Sequence, residues 1–311
     1  MNSTRNEAKP FLKWAGGKTQ LIPEIAKLMP HSLTEKPFTF IEPFVGSGAV
    51  LFWVINHFPN LKKAIINDIN TDLINVYQVI KQSPLPLIER LQKHQDTFIP
   101  LADTASKKAY YYAQRERFNL RQADAIEHAA LFIFLNKTCF NGLYRVNRNN
   151  EFNVPMGDYR KPTICDSANL LAVHQALQKV DILNGSYSDT LSAIDEEHNL
   201  FYFDPPYKPL STTSSFNAYA KNEFDDDAQI ALANFCHQLD ALGHAWILSN
   251  SDPKNSDSNN HFFDELYSNY HIRRVQATRA INSKASKRGK LNELLITNQR
   301  VGEDKSELQT F

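Results

Sequence analysis

The sequence predicts an α/β protein: one parallel sheet with helices on its faces, interrupted at about residues 75–175 by a mainly helical insertion. Three observations lead there. Two short apolar strands early in the chain are each followed by a helical pattern, giving a βαβα order. Residues 80–135 carry helical periodicity throughout. Strand and helix patterns then alternate again from residue 180.

Taken in order, "FTFIEPF" (38–44) reads as a strand, which "GSG" (46–48) turns into the apolar helix "AVLFWVINHF". "KKAIINDIN" (62–70) is a second strand ending in Asp68, followed by the helix "TDLINVYQVIKQ". Apolar positions recur at helical spacing through "PLIERLQKHQDTF" and "AIEHAALFIFLNK". From Cys139 to Asp166 the period fades into asparagine, aromatic and basic residues, which reads as a loop-rich excursion or hairpin. "VDILNGSY" (180–187), "NLFYFDPPY" (199–207) and "HAWILSN" (244–250) continue the sheet, with an Asp-capped helix over "DDDAQIALANFCHQLDALG". "IRRVQATRAI" and "NELLITN" read as the last strands, and residues 301–311 as a flexible tail.

Composition excludes several classes. Of the 311 residues, 42% are hydrophobic and 22% charged, ordinary for a soluble globular protein. No apolar run reaches membrane-spanning length. The N-terminus "MNSTRNEAKPF" lacks the apolar region of a secretory signal. The three cysteines, Cys139, Cys165 and Cys236, are far apart and outside C-x-x-C spacing, which argues for a reducing cytoplasm and against a disulfide framework or a zinc site. Basic and acidic residues balance at 34 each. Their distribution is uneven: between Arg273 and Arg300 eight basic residues face the single acid Glu293, a local excess able to serve phosphates.

The chemistry-bearing stretch is "FYFDPPYKPL" (201–210). Two prolines cannot donate ladder hydrogen bonds, so the strand ends there and projects Asp204 and Tyr207 at its carboxyl end, the edge where α/β sheets bind ligands. "EPFVGSGAV" sets Gly46 and Gly48 between a strand and a helix, where backbone approaches a ligand closely. The third glycine of the dinucleotide fingerprint is absent, since residue 51 is Leu. Asp68, 20 residues beyond Gly48, ends the next strand, suited to ribose hydroxyls. A nicotinamide enzyme fits these features, and so does S-adenosylmethionine, which has a ribose and no phosphate. "FLKWAGGKTQL" (11–21) adds Trp14 and Lys18, the latter able to meet a carboxylate.

"FLKWAGGK", "EPFVGSG", "NDIN" and "DPPY", in this order, resemble the Dam-like, α-class (D12 type) DNA adenine-N6 methyltransferases. The resemblance runs from about residue 10 to about residue 300 and includes "LNKTCFNGLYRVNRNNEFNVPMGDYRKP". It implies a Rossmann-like class I methyltransferase sheet with an inserted, mainly helical target-recognition domain carrying a β-hairpin. Residues 1–74 and 176–300 would form the S-adenosylmethionine-binding catalytic domain, and 75–175 the target-recognition domain. Asp204, Pro205, Pro206 and Tyr207 would be catalytic, with Asp204 and the Pro205 carbonyl accepting the two N6 hydrogens of an extruded adenine and Tyr207 stacking on it. Trp14, Lys18, Phe44, Gly46, Gly48, Asp68, Ser186, Tyr187 and Asp204 would contact S-adenosylmethionine. No metal is required.

The resemblance also makes 139–161 a hairpin that reads double-stranded DNA. Arg145 suits bidentate reading of guanine, and Leu143 and Pro155 suit a thymine methyl. Asn141 and Tyr159 would anchor the hairpin or meet phosphate, Lys13 would lie near the target, and Phe140 would fill the space beside the flipped base, standing where close relatives have Tyr. The expected target is GATC, with another adenine-containing sequence as the alternative. The stretch "STTSSFNAYAKNEF" would order over the site as a lid. A monomer suffices to methylate one strand at a time, and a cognate restriction enzyme would share the site without a stable complex. Cytosine-N4 methylation is a neighbouring reading, although serine more often opens its motif. A nicotinamide oxidoreductase is disfavoured by the missing glycine, and a non-enzymatic DNA-binding module leaves the Asp204–Tyr207 stretch without a purpose.

Overall fold

The structure is a computed structural model and describes residues 7–14, 16–194, 198–207, 224–278 and 290–299. Its centre is a seven-stranded sheet. Strands β1 (Phe38–Glu42), β2 (Leu61–Asp68), β3 (Val180–Asn184), β4 (Asn199–Phe203) and β5 (Ala245–Ser251) are parallel, and β6 (His271–Thr278) and β7 (Lys290–Thr297) close one edge. The spatial order is β3-β2-β1-β4-β5-β7-β6, with β7 antiparallel to both neighbours. The sheet is therefore mixed. The expectation of a parallel sheet holds for its first five strands, and the antiparallel β7 is an addition that apolar patterning does not announce.

The central strands β1 and β4 are buried along their whole length, as strands covered on both faces are. Alternate residues serve opposite faces: Leu200 and Tyr202 join one core, Phe201 and Phe203 the other. Against the first face pack α1 (Ile22–Ala26), α2 (Ala49–His57) and α3 (Thr71–Gln82). The inserted helices α4 (Pro84–Phe98), α5 (Thr104–Leu120), α6 (Ala125–Thr138) and α7 (Ser167–Leu177) extend that core, α6 packing on α3, α4 and α5 on α6, and α7 on α3 and β3. The second face is covered by α8 (Asp226–Ala241) and α9 (Phe262–Leu266). Short polar side chains start many of these helices. Asn70, Asp103, Asp124, Asp166 and Asp225 each accept a backbone N–H from the first turn.

The stretch read as a loop-rich excursion is an irregular hairpin, with antiparallel bridges only at Cys139–Met156 and Val146–Phe152. Its arms are tied by Phe140 N–H to Pro155 O (2.8 Å) and Asn153 N–H to Arg145 O (3.1 Å). All three cysteines are buried and unpaired. No helix among the described residues is long and apolar enough to cross a membrane.

Candidate active site

Strand order reverses between β1 and β4, because β1 feeds β2 on one side while β4 lies on the other. Such a switch point opens a crevice at the carboxyl ends of the two strands. Gly46 and Gly48 follow β1 at this edge, and Asp204 follows β4.

Asp204 is gripped from two sides. Lys18 Nζ lies 2.8 Å from Oδ1, and Ser249 Oγ on β5 donates to the same oxygen at 3.1 Å. Ser249 is itself 3.1 Å from the Tyr202 hydroxyl. The Lys18 side chain is only 5% exposed, so its charge is compensated locally by Asp204 and by the Gly16 carbonyl at 2.7 Å. Burial raises the Asp204 carboxyl above its ordinary value, and Lys18 and Ser249 pull it back part of the way. The Tyr207 hydroxyl donates to Glu293 Oε2 on β7 at 2.7 Å, and Lys18 Nζ sits 4.5 Å from the Tyr207 ring centroid. Burial, with Asp204 and Glu293 nearby, drives the Tyr207 phenol far up, so it stays a neutral donor. Behind the prolines, Gln229 on α8 donates to the Pro206 carbonyl at 3.3 Å and accepts from Asn250 at 3.1 Å.

The glycine turn faces this group. Gly46 and Gly48 have φ of +48° and +70°, which side chains adopt only with strain. A Cβ at Gly48 would lie 2.7 Å from the Tyr77 hydroxyl, which donates to the Gly46 carbonyl at 3.0 Å. Asp68 closes the turn, accepting Gly46 N–H on Oδ2 (3.2 Å) and Asn70 N–H on Oδ1 (2.9 Å); burial raises its carboxyl. Glu42 accepts Leu51 N–H at 3.0 Å and anchors α2; burial, then the charge of Asp204, pushes it well above the carboxylate range. A Cβ at Gly46 would meet the Trp14 indole at 3.0 Å, so Trp14 lies directly on the turn. Phe44 and Tyr187 pack with ring centroids 5.5 Å apart, and Ser186 begins the adjacent turn, tethered by Asn67 to both Pro43 and Gly185. Bare glycine backbone, a carboxylate at the end of β2 and a buried ammonium form a donor set that fits an adenosyl ligand with a ribose diol and a carboxylate.

The remaining sequence-predicted residues form a second cluster on the hairpin. Phe140 is 45% exposed despite its size. Asn141 and Gly142 take positive φ, and a Cβ at Gly142 would overlap Lys13. Lys13 Nζ rests 3.8 Å over the Tyr159 ring, while its backbone exchanges two hydrogen bonds with the Asn136 side chain. Leu143 is half-buried, Pro155 exposed, and Arg145 is exposed with Nε donating to Asn153 Oδ1 at 2.7 Å. Trp14 joins the two clusters: it stacks on Tyr144 at 6.0 Å and 17°. The stretch expected to form a lid lies, apart from Phe224, outside the described residues, as do residues 301–311 and most of the basic run.

Sequence reasoning missed Ser249, Glu293, Gln229, Glu42, Asn67 and Asn136. Buried polar residues inside apolar segments, such as Asn136 in "FIFLNKT" and Ser249 in "WILSN", are the signal that marks some of them.

Comparison with known proteins gives the family. Residues 14–281 match the family model described as D12 class N6 adenine-specific DNA methyltransferase. The chain is 47% identical to the type II methyltransferase M.MjaIII of Methanocaldococcus jannaschii, over 94% of this chain and 99% of that protein. It is 37% identical to the type II methyltransferase M1.LlaDCHI of Lactococcus lactis (93% and 95%). It is 34% identical to the DNA adenine methylase of Escherichia coli K12 (92% and 94%). The chain therefore belongs to the D12 class of DNA adenine-N6 methyltransferases, enzymes whose methyl donor is S-adenosylmethionine.

Proposed function

We propose that this enzyme methylates the adenine of GATC in double-stranded DNA after extruding that base from the helix. Residues 1–74 and 176–300 hold the methyl donor and the reacting groups, and the unit 75–175 reads the target. The observation that carries the proposal is Asp204 at the switch point, its Oδ1 engaged by Lys18 and Ser249. Oδ2 is then the oxygen offered to the substrate.

Trp14, Lys18, Phe44, Gly46, Gly48, Asp68, Ser186 and Tyr187 would hold the donor, with Asp68 on the ribose and Lys18 near its carboxylate. When bound, S-adenosylmethionine supplies an electrophilic methyl group on a sulfonium. The chain's task is to make a poor nucleophile attack. The N6 lone pair of adenine is delocalised into the ring, so the amine must become pyramidal. Asp204 Oδ2 and the Pro205 carbonyl accept its two hydrogens, and that pairing favours the pyramidal form. The locked φ angles of Pro205 and Pro206 fix the carbonyl's direction. A carboxylate raised by burial is also a competent acceptor for the proton N6 must shed. Tyr207, pinned by Glu293, presents the face on which the base stacks. Extrusion costs a few kcal/mol, about what stacking on one aromatic ring returns.

On the hairpin, Arg145 reads guanine, Leu143 and Pro155 meet a thymine methyl, and Phe140 fills the space the base vacates. Lys13, Asn141 and Tyr159 contact the backbone or brace the hairpin. One molecule suffices to methylate one strand at a time, so the working unit is a monomer. Two relatives are named type II methyltransferases, which accords with a restriction enzyme sharing the site without a stable complex. Methyl transfer to two duplexes, identical except for GATC in one and GTAC in the other, tests the reading. Transfer to the first alone is expected, and equal transfer to both would refute the assigned sequence.

A further inference from the structure

Asp72, in the first turn of α3, is 8% exposed at its side chain and sits four residues beyond Asp68. Three elements of the inserted segment converge on it. Arg121 grips it with both terminal nitrogens, His128 Nε2 lies 2.9 Å from Oδ1, and the Tyr144 hydroxyl donates to Oδ2 at 2.9 Å. Burial alone would raise this carboxyl; the hydrogen bonds from His128, Arg121 and Tyr144 outweigh it and hold the group well below the carboxylate range.

Arg121 and His128 are themselves fixed. Arg121 ends α5 at φ +52°, a conformation disfavoured outside glycine, and its NH2 reaches on to the Asn150 carbonyl at the hairpin tip (3.0 Å). The His128 ring stacks on Phe118 at 4.4 Å. Tyr144 is held between rings, 6.0 Å from Trp14 and 5.2 Å from Phe132, both nearly parallel to it. It is also the residue immediately before Arg145. A buried ion pair is weak evidence for stability in itself, and its better-supported use is to fix one arrangement among several. Here the arrangement fixed is that of the hairpin against the start of α3, whose cap Asn70 is bonded to Asp68.

We propose that Asp72 is a positioning residue for target discrimination: directly through Tyr144, and through Arg121 on to Asn150, it sets the hairpin against the donor-binding edge of the sheet and so aims Arg145 at its base pair. The proposal rests on the reading of the hairpin given above. A bidentate arginine–guanine contact depends on sub-ångström placement, so loosening its support lowers selectivity before it lowers folding.

The test compares the unaltered enzyme with Tyr144→Phe and Asp72→Asn. Tyr144→Phe keeps the stack on Trp14 and removes only the hydroxyl, so it decides the matter should Asp72→Asn fail to fold. Transfer rates to a GATC duplex and to one with AATT in its place, which keeps the central AT and replaces the guanines, are measured with thermal midpoints. The expected result is a fall in the GATC-to-AATT ratio of kcat/KM by roughly fivefold or more, with the Tyr144→Phe midpoint near that of the parent. An unchanged ratio in both variants would overturn this proposal alone. Equal transfer to both duplexes by the unaltered enzyme would overturn the reading of the hairpin and this proposal with it.

Discussion

At the scale of single residues, the site is a set of carboxyls under opposing demands. Asp204, Asp68 and Glu42 are all raised by burial, and each is restrained by a specific donor: Lys18, a pair of backbone N–H groups, and Leu51 N–H. Asp204→Asn keeps the shape but removes the charge and the proton acceptor, putting an NH2 donor in place of one carboxylate oxygen, so kcat should fall by roughly 10²–10⁴-fold, measured by transfer of labelled methyl groups to DNA. Glu42 gives a pH test. Its folded pKa is higher than its unfolded one, so it supports the fold only while protonated. That contribution is complete below the ordinary carboxylate range and is lost as pH climbs through the raised value. Glu42→Gln keeps an acceptor for Leu51 and never ionises. The difference in thermal midpoint, variant minus parent, should therefore grow as pH rises above the ordinary carboxylate range; a flat difference would count against the assignment. Asp204, Tyr207, Lys18, Gly46 and Asp68 were legible in the sequence because each sits at a strand end or in a glycine turn. Ser249, Glu293 and Gln229 were not, because they reach Asp204, Tyr207 and Pro206 only through the closing of the sheet and its helix.

At the scale of elements, the glycine turn and the helix behind the prolines are the supports that matter. Gly48→Ala forces a side chain into φ +70° and against the Tyr77 hydroxyl. The backbone term alone is about 1–2 kcal/mol, and weaker donor binding should accompany it, read by calorimetry with S-adenosylhomocysteine. Gln229→Ala leaves the Pro206 carbonyl and buried Asn250 short of a partner; a loss of about 1–3 kcal/mol is expected in denaturant unfolding. The βα units over 38–82 were readable because apolar strands end in turn residues there. Two elements escaped. The α7 stripe of Leu170, Val173, Ala176 and Leu177, with its Asp166 cap, is a genuine helical signal shadowed by the aromatic-rich hairpin before it. The direction of β7 leaves no local trace, because an apolar strand reads alike whether its neighbours run parallel or antiparallel.

At the scale of the whole molecule, zero net charge means that DNA must be met by local charge. The basic run from Arg273 to Arg300 was visible as composition, and most of it lies outside the described residues. Affinity for a duplex should fall steeply with salt, and replacing Lys284, Lys287 and Arg288 with Gln should flatten the log–log slope by about 0.9 for each phosphate contact removed. An unchanged slope would place the phosphate contacts elsewhere, such as on the hairpin. The sheet order, by contrast, follows from rules of connection: right-handed crossovers on either side of β1 create one switch point, and both the glycine turn and Asp204 are delivered to it.

The most direct measurement is nucleoside analysis of a GATC duplex incubated with labelled S-adenosylmethionine and either the parent enzyme or Asp204→Asn. Label recovered as N6-methyladenine with the parent, and nearly absent with the variant, is the expected result. Label in N4-methylcytosine, or N6-methyladenine formed equally by both proteins, would contradict a reaction centred on Asp204.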